Sequence, residues 1–177
     1  IYLLSLPMIN DGKPMKAVAL LSGGLDSTLA IKVVLEQGIS VTALNFTSPF
    51  CQCNHKSAVD KHSGGGCLSI ARNVCSQFGI ELKMIPLREE YLEIVKHPRY
   101  GYGKNLNPCI DCRILMLKHA KLFMQEIGAS FIITGEVLGQ RPLSQHRAAI
   151  EKIEKQSGLE GLVVRPLSAK LFPPSIP

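Results

Sequence analysis

The sequence predicts a doubly wound α/β fold with a mostly parallel sheet and helices on both faces. Short, almost wholly apolar strand candidates alternate along the chain with helical segments, which is typical of strands buried on both faces of a parallel sheet. The unusual loops all follow strand candidates. In such sheets, ligands bind at the carboxyl ends of the strands, so these loops are the candidate site.

The individual elements follow from apolar periodicity and from the glycines that end helices. The predicted strands are 17–21, 41–46, 81–86, 131–134 and 162–167, and the predicted helices are 28–37, 67–78, 89–95, 110–127 and 144–156. With 177 residues, 46% hydrophobic and 19% charged, the chain is long enough for one α/β core. We expect a single domain over 1–177, with more protein after the proline-rich end at Pro177.

The composition limits the kinds of partner and the cellular compartment that we expect for this protein. The net charge of +6 is compatible with a polyanionic partner, although a solvated basic face explains it equally well. The apolar runs are too short to span a membrane, and residues 1–8 lack the features of a signal peptide. We therefore expect a cytoplasmic protein with no membrane partner. In that compartment, six cysteines more often serve metal or redox chemistry than disulfides.

The segment Ser22–Ser27 (SGGLDS) lies between the first strand and the first helix. The backbone N–H groups of such a turn and the positive end of a helix bind phosphate. Gly23 and Gly24 permit close approach, and the hydroxyls of Ser22 and Ser27 can bond phosphate oxygens. Asp26 either caps the helix or holds Mg²⁺ that bridges the phosphates. A capped helix after a glycine turn is the alternative interpretation.

A second candidate is Cys109-x-x-Cys112 at the start of a helix. The helix dipole and Arg113 are expected to lower the thiol pKa values. One cysteine can then carry a persulfide that the other resolves. Equally, the pair can supply two ligands of an iron–sulfur cluster or of Zn²⁺, or it can be two small core residues.

A long polar loop, 47–66, adds further candidate ligands. Cys51, Cys53 and Cys67, with His55 or His62, can form a zinc site or can join Cys109 and Cys112 as cluster ligands. Free thiols are the alternative. In a later loop, Tyr100 and Tyr102 are flanked by basic residues and can stack on a nucleic-acid base, unless that loop is simply a flexible connection.

The motif SGGLDS resembles the PP-loop of the ATP pyrophosphatases, which cleave ATP between the α and β phosphates and adenylate an oxygen of their substrate. Within that group, Asn107–Arg113 (NPCIDCR) resembles enzymes that thiolate tRNA, the 2-thiouridylases and 4-thiouridine synthases. Thr134–Pro142 (TGEVLGQRP) and Arg165–Lys170 (RPLSAK) extend a resemblance to thiouridylase-like proteins over almost the whole chain.

This resemblance implies the Rossmann-like fold of the adenine nucleotide alpha hydrolases, with ATP and Mg²⁺ as cofactors. It also implies tRNA as a partner, together with a sulfur donor protein or sulfide. A homodimer is compatible with it. The carboxyl end of the second strand, at Asn45 and Phe46, is where adenine or ribose would lie in such a fold. The expected nucleotide contacts are Leu21, Ser22, Gly23, Gly24, Asp26, Ser27, Phe46, Thr134 and Gly135.

The resulting hypothesis is an ATP-dependent tRNA sulfurtransferase with Cys109, Cys112 and Asp26 as catalytic residues. ATP adenylates a uridine carbonyl oxygen, and sulfur from a cysteine persulfide or a cluster-bound sulfide displaces AMP. No cysteine follows Cys112, so we expect the second catalytic cysteine to be Cys109 or to lie beyond Pro177. The rival hypotheses are a PP-loop amidotransferase or ligase acting on a small molecule, and a nucleotide- or metal-binding module without turnover.

Overall fold

The computed structural model describes residues 15–50, 67–141 and 143–176. Its strands are β1 (Lys16–Leu20), β2 (Ser40–Thr47), β3 (Leu82–Pro86), β4 (Phe131–Ile133) and β5 (Val163–Val164). Its α-helices are α1 (Leu25–Leu35), α2 (Cys67–Phe78), α3 (Glu89–Lys96), α4 (Cys109–Glu126) and α5 (Arg147–Ser157). Short 3₁₀ helices span Lys104–Leu106 and Pro166–Leu171. Cys51 and Cys53 lie outside the described residues, as does the side chain of Cys67.

The five strands form one parallel sheet in the order β3-β2-β1-β4-β5. This arrangement confirms the predicted fold class. The order reverses direction at β1, which pairs with β2 on one side and with β4 on the other. The carboxyl ends of β1, β2 and β4 therefore meet at a switch point, where α/β sheets place their ligand sites.

Helices cover both faces of the sheet because alternate strand residues point to opposite faces. Ala17 and Ala19 of β1 belong to a core cluster that also contains Ala30 and Ile31 of α1 and Ala71 of α2. Val18 and Leu20 belong to a second cluster, with residues of α4 and α5 including Leu117 and Ile153. Central strands buried on both sides account for the nearly continuous apolar runs in the sequence.

Helix α1 begins at Leu25, three residues earlier than predicted, with Gly24 as its N-cap. Asp26 is therefore inside the first turn, and the alternative in which Asp26 caps this helix is wrong. An extended N-cap glycine starts the helix without a side-chain cap hydrogen bond. This early start brings the Asp26 and Ser27 side chains to the ligand-binding edge of the sheet.

The last two predicted elements also start or end elsewhere. Helix α5 begins at Arg147 rather than 144, because His146 Nδ1 accepts a hydrogen bond from Ala149 N at 3.2 Å and serves as the N-cap. Strand β5 stops at Val164, since Pro166 has no N–H to continue the ladder and begins a 3₁₀ helix. Within the described ranges, no helix combines the length and apolar character needed to cross a membrane.

Candidate active site

A cleft of about 400 Å³ opens at the carboxyl edge of the sheet. It is bounded by the turn between β1 and α1, the end of β2, the start of α4 and the segment after β4. Its lining residues are Leu20, Leu21, Ser22, Gly24, Asp26, Ser27, Leu44, Asn45, Phe46, Asn107, Cys109, Cys112, Arg113, Met116, Gly135, Glu136, Gln140, Arg141, Ser144 and Gln145. The switch point thus brings together two motifs that are far apart in the sequence, the Ser22–Ser27 turn and the Cys109-x-x-Cys112 pair.

The glycine turn is ordered by its own serines. Gly24 N donates to Ser22 Oγ at 3.3 Å, and Ser27 Oγ donates to the Gly24 carbonyl at 2.9 Å. Gly23 has a φ of 84°, a left-handed conformation that favours glycine. The first N–H groups of α1 have no partner within the helix and point into the turn. This arrangement can bind the phosphates of a nucleotide, and we call Ser22–Ser27 the phosphate turn.

Gly135 lies where the chain leaves β4 and passes the start of α1. A Cβ atom at this position would lie 2.4 Å from Ser27 N and 2.6 Å from the Asp26 carbonyl carbon. Only glycine allows this approach, which brings the end of β4 against the phosphate turn. Thr134, just before it, is buried and does not line the cleft, and its hydroxyl donates to Glu136 Oε2 at 3.2 Å.

Asp26 faces the cleft and is linked to the segment that follows Gly135. Its Oδ2 accepts a hydrogen bond from Gln140 Nε2 at 3.3 Å. A carboxylate beside the phosphate turn is a suitable Mg²⁺ ligand, because Mg²⁺ binds proteins through one or two carboxylates together with phosphate oxygens. The geometry therefore fits a metal ion that accompanies the phosphates.

Cys109 and Cys112 both line the cleft on the first turn of α4. Burial raises the pKa of the Cys112 thiol, and the charge of Arg113 and a hydrogen bond from Tyr91 oppose this rise without overcoming it. The expectation of a lowered pKa is therefore wrong for Cys112, because desolvation outweighs the neighbouring positive charge. The thiol donates to Met116 Sδ at 3.8 Å.

A buried ionic network that was not predicted from the sequence centres on Glu136. Glu136, 2% exposed, accepts hydrogen bonds from Arg113 Nε at 2.7 Å and Arg165 Nε at 3.0 Å. Arg165 also pairs with Glu154 of α5. Burial opposes ionisation of Glu136, but the two guanidinium groups outweigh it and hold the pKa of this carboxyl below its usual range. The signal in the sequence from which this network could have been predicted is a carboxylate, Glu136, shortly after the buried strand β4.

Part of the predicted metal set lies outside the described residues, at Cys51, Cys53 and the Cys67 side chain. Among the residues that are described, no three histidine, cysteine or acidic side chains are grouped so as to hold a metal ion. Cys109 and Cys112 supply two thiols one turn apart, which is half of a four-coordinate set. The cluster and zinc hypotheses remain predictions.

Tyr100 and Tyr102, the two candidates for base stacking, both contact other parts of this protein. Tyr102 donates its hydroxyl to the carbonyl of Val95 at 2.6 Å, at the end of α3. The ring of Tyr100 has the cations of Arg99 and Lys152 at 5.5 and 5.2 Å from its centroid. Tyr100 and Tyr102 thus attach this loop to α3 and α5.

Comparison with known proteins identifies relatives of this chain. The chain is 30% identical over 138 residues to a probable tRNA sulfurtransferase of Thermococcus kodakarensis, an alignment covering 73% of this chain and 31% of the relative. It is 31% identical over 129 residues to a probable tRNA sulfurtransferase of Staphylococcus aureus, covering 71% and 28%. The chain therefore spans about a third of the length of these relatives.

A crystal structure of a 4-thiouridine synthetase–RNA complex with bound ATP matches with a TM-score of 0.64 and 28% identity. The match covers 87% of this chain and 37% of that chain. The family model described as thiamine biosynthesis protein (ThiI) matches residues 12–170, which include the phosphate turn, the cysteine pair and the Glu136 network. The chain therefore belongs to the ThiI family.

Proposed function

We propose that this chain is the ATP-binding and sulfur-transferring part of a tRNA sulfurtransferase. The observation that carries the proposal is that the phosphate turn and both cysteines of the Cys109-x-x-Cys112 motif line one cleft. An enzyme that activates an oxygen with ATP and then replaces it with sulfur needs these two groups within reach of one substrate atom. Relatives named as probable tRNA sulfurtransferases and a structural relative with bound ATP and RNA support the same function.

In this proposal, the triphosphate lies at the start of α1. Backbone N–H groups of the turn and the Ser22 and Ser27 hydroxyls bind phosphate oxygens. Asp26 would hold Mg²⁺, which supplies charge neutralisation for the phosphates. Gly135 closes the site from the β4 side, because its backbone is packed against Ser27.

The first chemical step is adenylation. A uridine carbonyl oxygen attacks the α-phosphorus of ATP, a new P–O bond forms, and the bond to the departing pyrophosphate breaks. The carbonyl oxygen, a poor leaving group, becomes part of an AMP leaving group. The reacting carbon is then open to a sulfur nucleophile.

The second step is sulfur transfer from a persulfide on one of the two cysteines, supplied by a donor protein or by sulfide with an oxidant. The terminal sulfur attacks the activated carbon, and the C–O bond to AMP breaks. The other cysteine then attacks the persulfide sulfur attached to the enzyme. This step releases the thiolated base and forms a Cys109–Cys112 disulfide. A thiol reductant then reduces the disulfide and restores both thiols. A sulfide bound to a metal cluster is the alternative sulfur source.

Single Cys109→Ser and Cys112→Ser variants of the full-length protein test this function. Incubation with ATP, tRNA and a sulfur source is followed by assays of pyrophosphate and thiouridine. We expect pyrophosphate release to persist and thiouridine to be lost. Cys75→Ala is the matched control, because Cys75 is a buried thiol of α2 outside the cleft.

The rivals give different results. A small-molecule amidotransferase or ligase would keep its activity in both serine variants and would release pyrophosphate without tRNA. A binding module would release no pyrophosphate in any variant. Iron and zinc analysis of the purified wild-type protein and the two variants distinguishes the cluster-bound sulfide from the persulfide, since only a cluster would be lost with the cysteines.

A further inference from the structure

The loop between α3 and α4, residues 97–108, presents a leucine to solvent at the edge of the cleft. Leu106 is 72% exposed, whereas the next residue, Asn107, lines the cleft, as does Cys109. Successive Cα atoms are about 3.8 Å apart, so Leu106 lies beside the cleft. Single exposed leucines are ordinary on protein surfaces, so exposure alone does not assign this residue a function.

The backbone at this leucine is in a conformation that leucine disfavours. Asn105 and Leu106 have φ values of 59° and 54°, in the left-handed region. Asparagine visits this region readily, but the Cβ atom of leucine comes too close to the following carbonyl oxygen there. Such conformations persist where the surrounding structure fixes them, and they are concentrated at active sites and ligand clamps. Both the exposure and the backbone of Leu106 are therefore unfavourable to the protein alone.

Contacts on both sides of Leu106 hold the loop in this shape. Gly103 N donates to the Asn107 carbonyl at 2.8 Å, which closes the loop around Leu106. A Cβ atom at Gly103 would overlap the Leu143 side chain, so the segment after β4 packs against the loop. Tyr102 attaches the same loop to the end of α3. The position of Leu106 is therefore set before a substrate binds.

Two exposed cations of the loop and of the segment packed against it fit a polyanion. Arg99 lies in the loop, and Arg141 lines the cleft in the segment after β4. Neither guanidinium group forms an ion pair with an acidic side chain among the described residues. Cationic side chains bind the phosphates of a nucleic acid, whereas apolar side chains contact its bases. This combination therefore fits an RNA substrate.

The proposed reaction requires the target uridine to leave its stack. Sulfur transfer brings the reacting carbon to Cys109 or Cys112 inside the cleft, which a base within a stacked RNA does not reach. Removal of a base leaves a gap between its neighbours. Proteins that unstack nucleic acids insert apolar side chains, leucine among them, between bases. A fixed and exposed leucine beside the cleft has the chemistry for this task.

We propose that Leu106 is a substrate-positioning residue that fills the gap left in the RNA when the target uridine enters the cleft. This inference rests on the proposed function. The fixed loop presents the side chain without further ordering, and its contact with the neighbouring bases stabilises the opened RNA. Leu106 takes no part in ATP binding or in the chemical steps.

Three variants of the full-length protein separate the side chain from the backbone conformation. Leu106→Gly removes the side chain, and glycine adopts the left-handed conformation without strain. Asn105→Gly is the matched control, because it relieves the same conformation one residue earlier and keeps the leucine. Leu106→Met restores a long apolar side chain. Circular dichroism should give both glycine variants a Tm close to wild type, since relief of strain offsets the added freedom of the unfolded chain.

The assay is thiouridine formation in an unmodified tRNA transcript, with the thiolated position first mapped on the wild-type product by mass spectrometry. Inorganic polysulfide is the sulfur source, so no donor protein is present. We expect Leu106→Gly to lower kcat/KM about tenfold, as for loss of one contact with a base. Leu106→Met and Asn105→Gly should stay within about twofold of wild type.

A second substrate carries an abasic site next to the mapped uridine, where the stack is already broken. Because unstacking costs least at a damaged position, wild type and Leu106→Gly should differ on this RNA by about twofold or less. A role of Leu106 in the shape of the loop alone would instead lower kcat/KM equally for both RNAs.

The inference is overturned if Leu106→Gly matches wild type on the intact tRNA, or if it is equally impaired on both RNAs. A loss that appears only when a persulfide-bearing donor protein replaces polysulfide would also overturn it and would assign Leu106 to docking of that donor. In each of these cases wild type still forms thiouridine, and the proposed function stands. If wild type forms no thiouridine on either RNA, the proposed function fails and the inference fails with it.

Discussion

Replacement of Glu136 by glutamine tests the buried network most directly. The carboxylate accepts from two guanidinium groups and from Thr134, and it is 2% exposed. In Glu136→Gln the amide keeps one acceptor oxygen, but its NH₂ group would face an arginine N–H donor instead of accepting from it. Breaking a buried ion pair costs about 3–5 kcal/mol. Arg165 keeps Glu154 as a partner, so we expect the lower end, about 3 kcal/mol.

Thermal unfolding followed by circular dichroism measures this effect. For a domain of this size, about 3 kcal/mol corresponds to a fall of roughly 6–12 °C in Tm. Glu36→Gln is the control, because the Lys32–Glu36 pair is exposed and should change Tm little. A Tm for Glu136→Gln within about 2 °C of wild type would refute the idea that these charges stabilise the fold.

The pH dependence of the same difference provides a second check. The pKa of Glu136 is held below its usual range in the folded protein. Between the folded and the unfolded pKa values, the folded protein therefore binds fewer protons at this residue than the unfolded chain does. The advantage of wild type should be complete above the unfolded carboxyl pKa of about 4.3 and should be lost as the pH falls through the folded pKa below it. A stability difference that stays constant down to the folded pKa would contradict the charge argument.

Two further predictions concern residues at the carboxyl edge of the sheet. Gly135→Ala should lower Tm and weaken ATP binding, because the added carbon would lie 2.4 Å from Ser27 N. In Gly24→Ala the added carbon would lie 3.4 Å from Ser22 Oγ, an ordinary contact, so the nucleotide-free Tm should fall less. Equal falls in Tm would argue against the close approach at Gly135. Burial raises the Cys112 pKa, so its alkylation by iodoacetamide, followed by peptide mass spectrometry, should increase only above the pH typical of free thiols. In Tyr91→Phe this pH should rise further, whereas an unchanged profile would mean that the Tyr91 hydrogen bond does not stabilise the thiolate.

Local patterns in the sequence were sufficient to predict the helices and most strands. The apolar runs of β1 and β4 and the glycines after α1 and α4 are short-range signals, and the structure has these elements close to the predicted positions. Element ends were less well predicted where the decisive contact is a cap. Gly24 starts α1 and His146 starts α5, and neither contact is visible as periodicity.

The sequence by itself determined the parallel α/β fold, the phosphate turn and the cysteine pair, because each depends on residues close together in the chain. Tertiary structure decided what those residues meet. Glu136 lies 23 residues from Arg113 and 29 from Arg165, so only the packing of α4, β4 and β5 brings these charges together. The same packing partly buries Cys112, and the resulting desolvation outweighs the helix end and Arg113, which the local sequence suggested would lower its pKa. Local sequence determines which groups are available, whereas their surroundings, and hence their chemistry, depend on long-range packing.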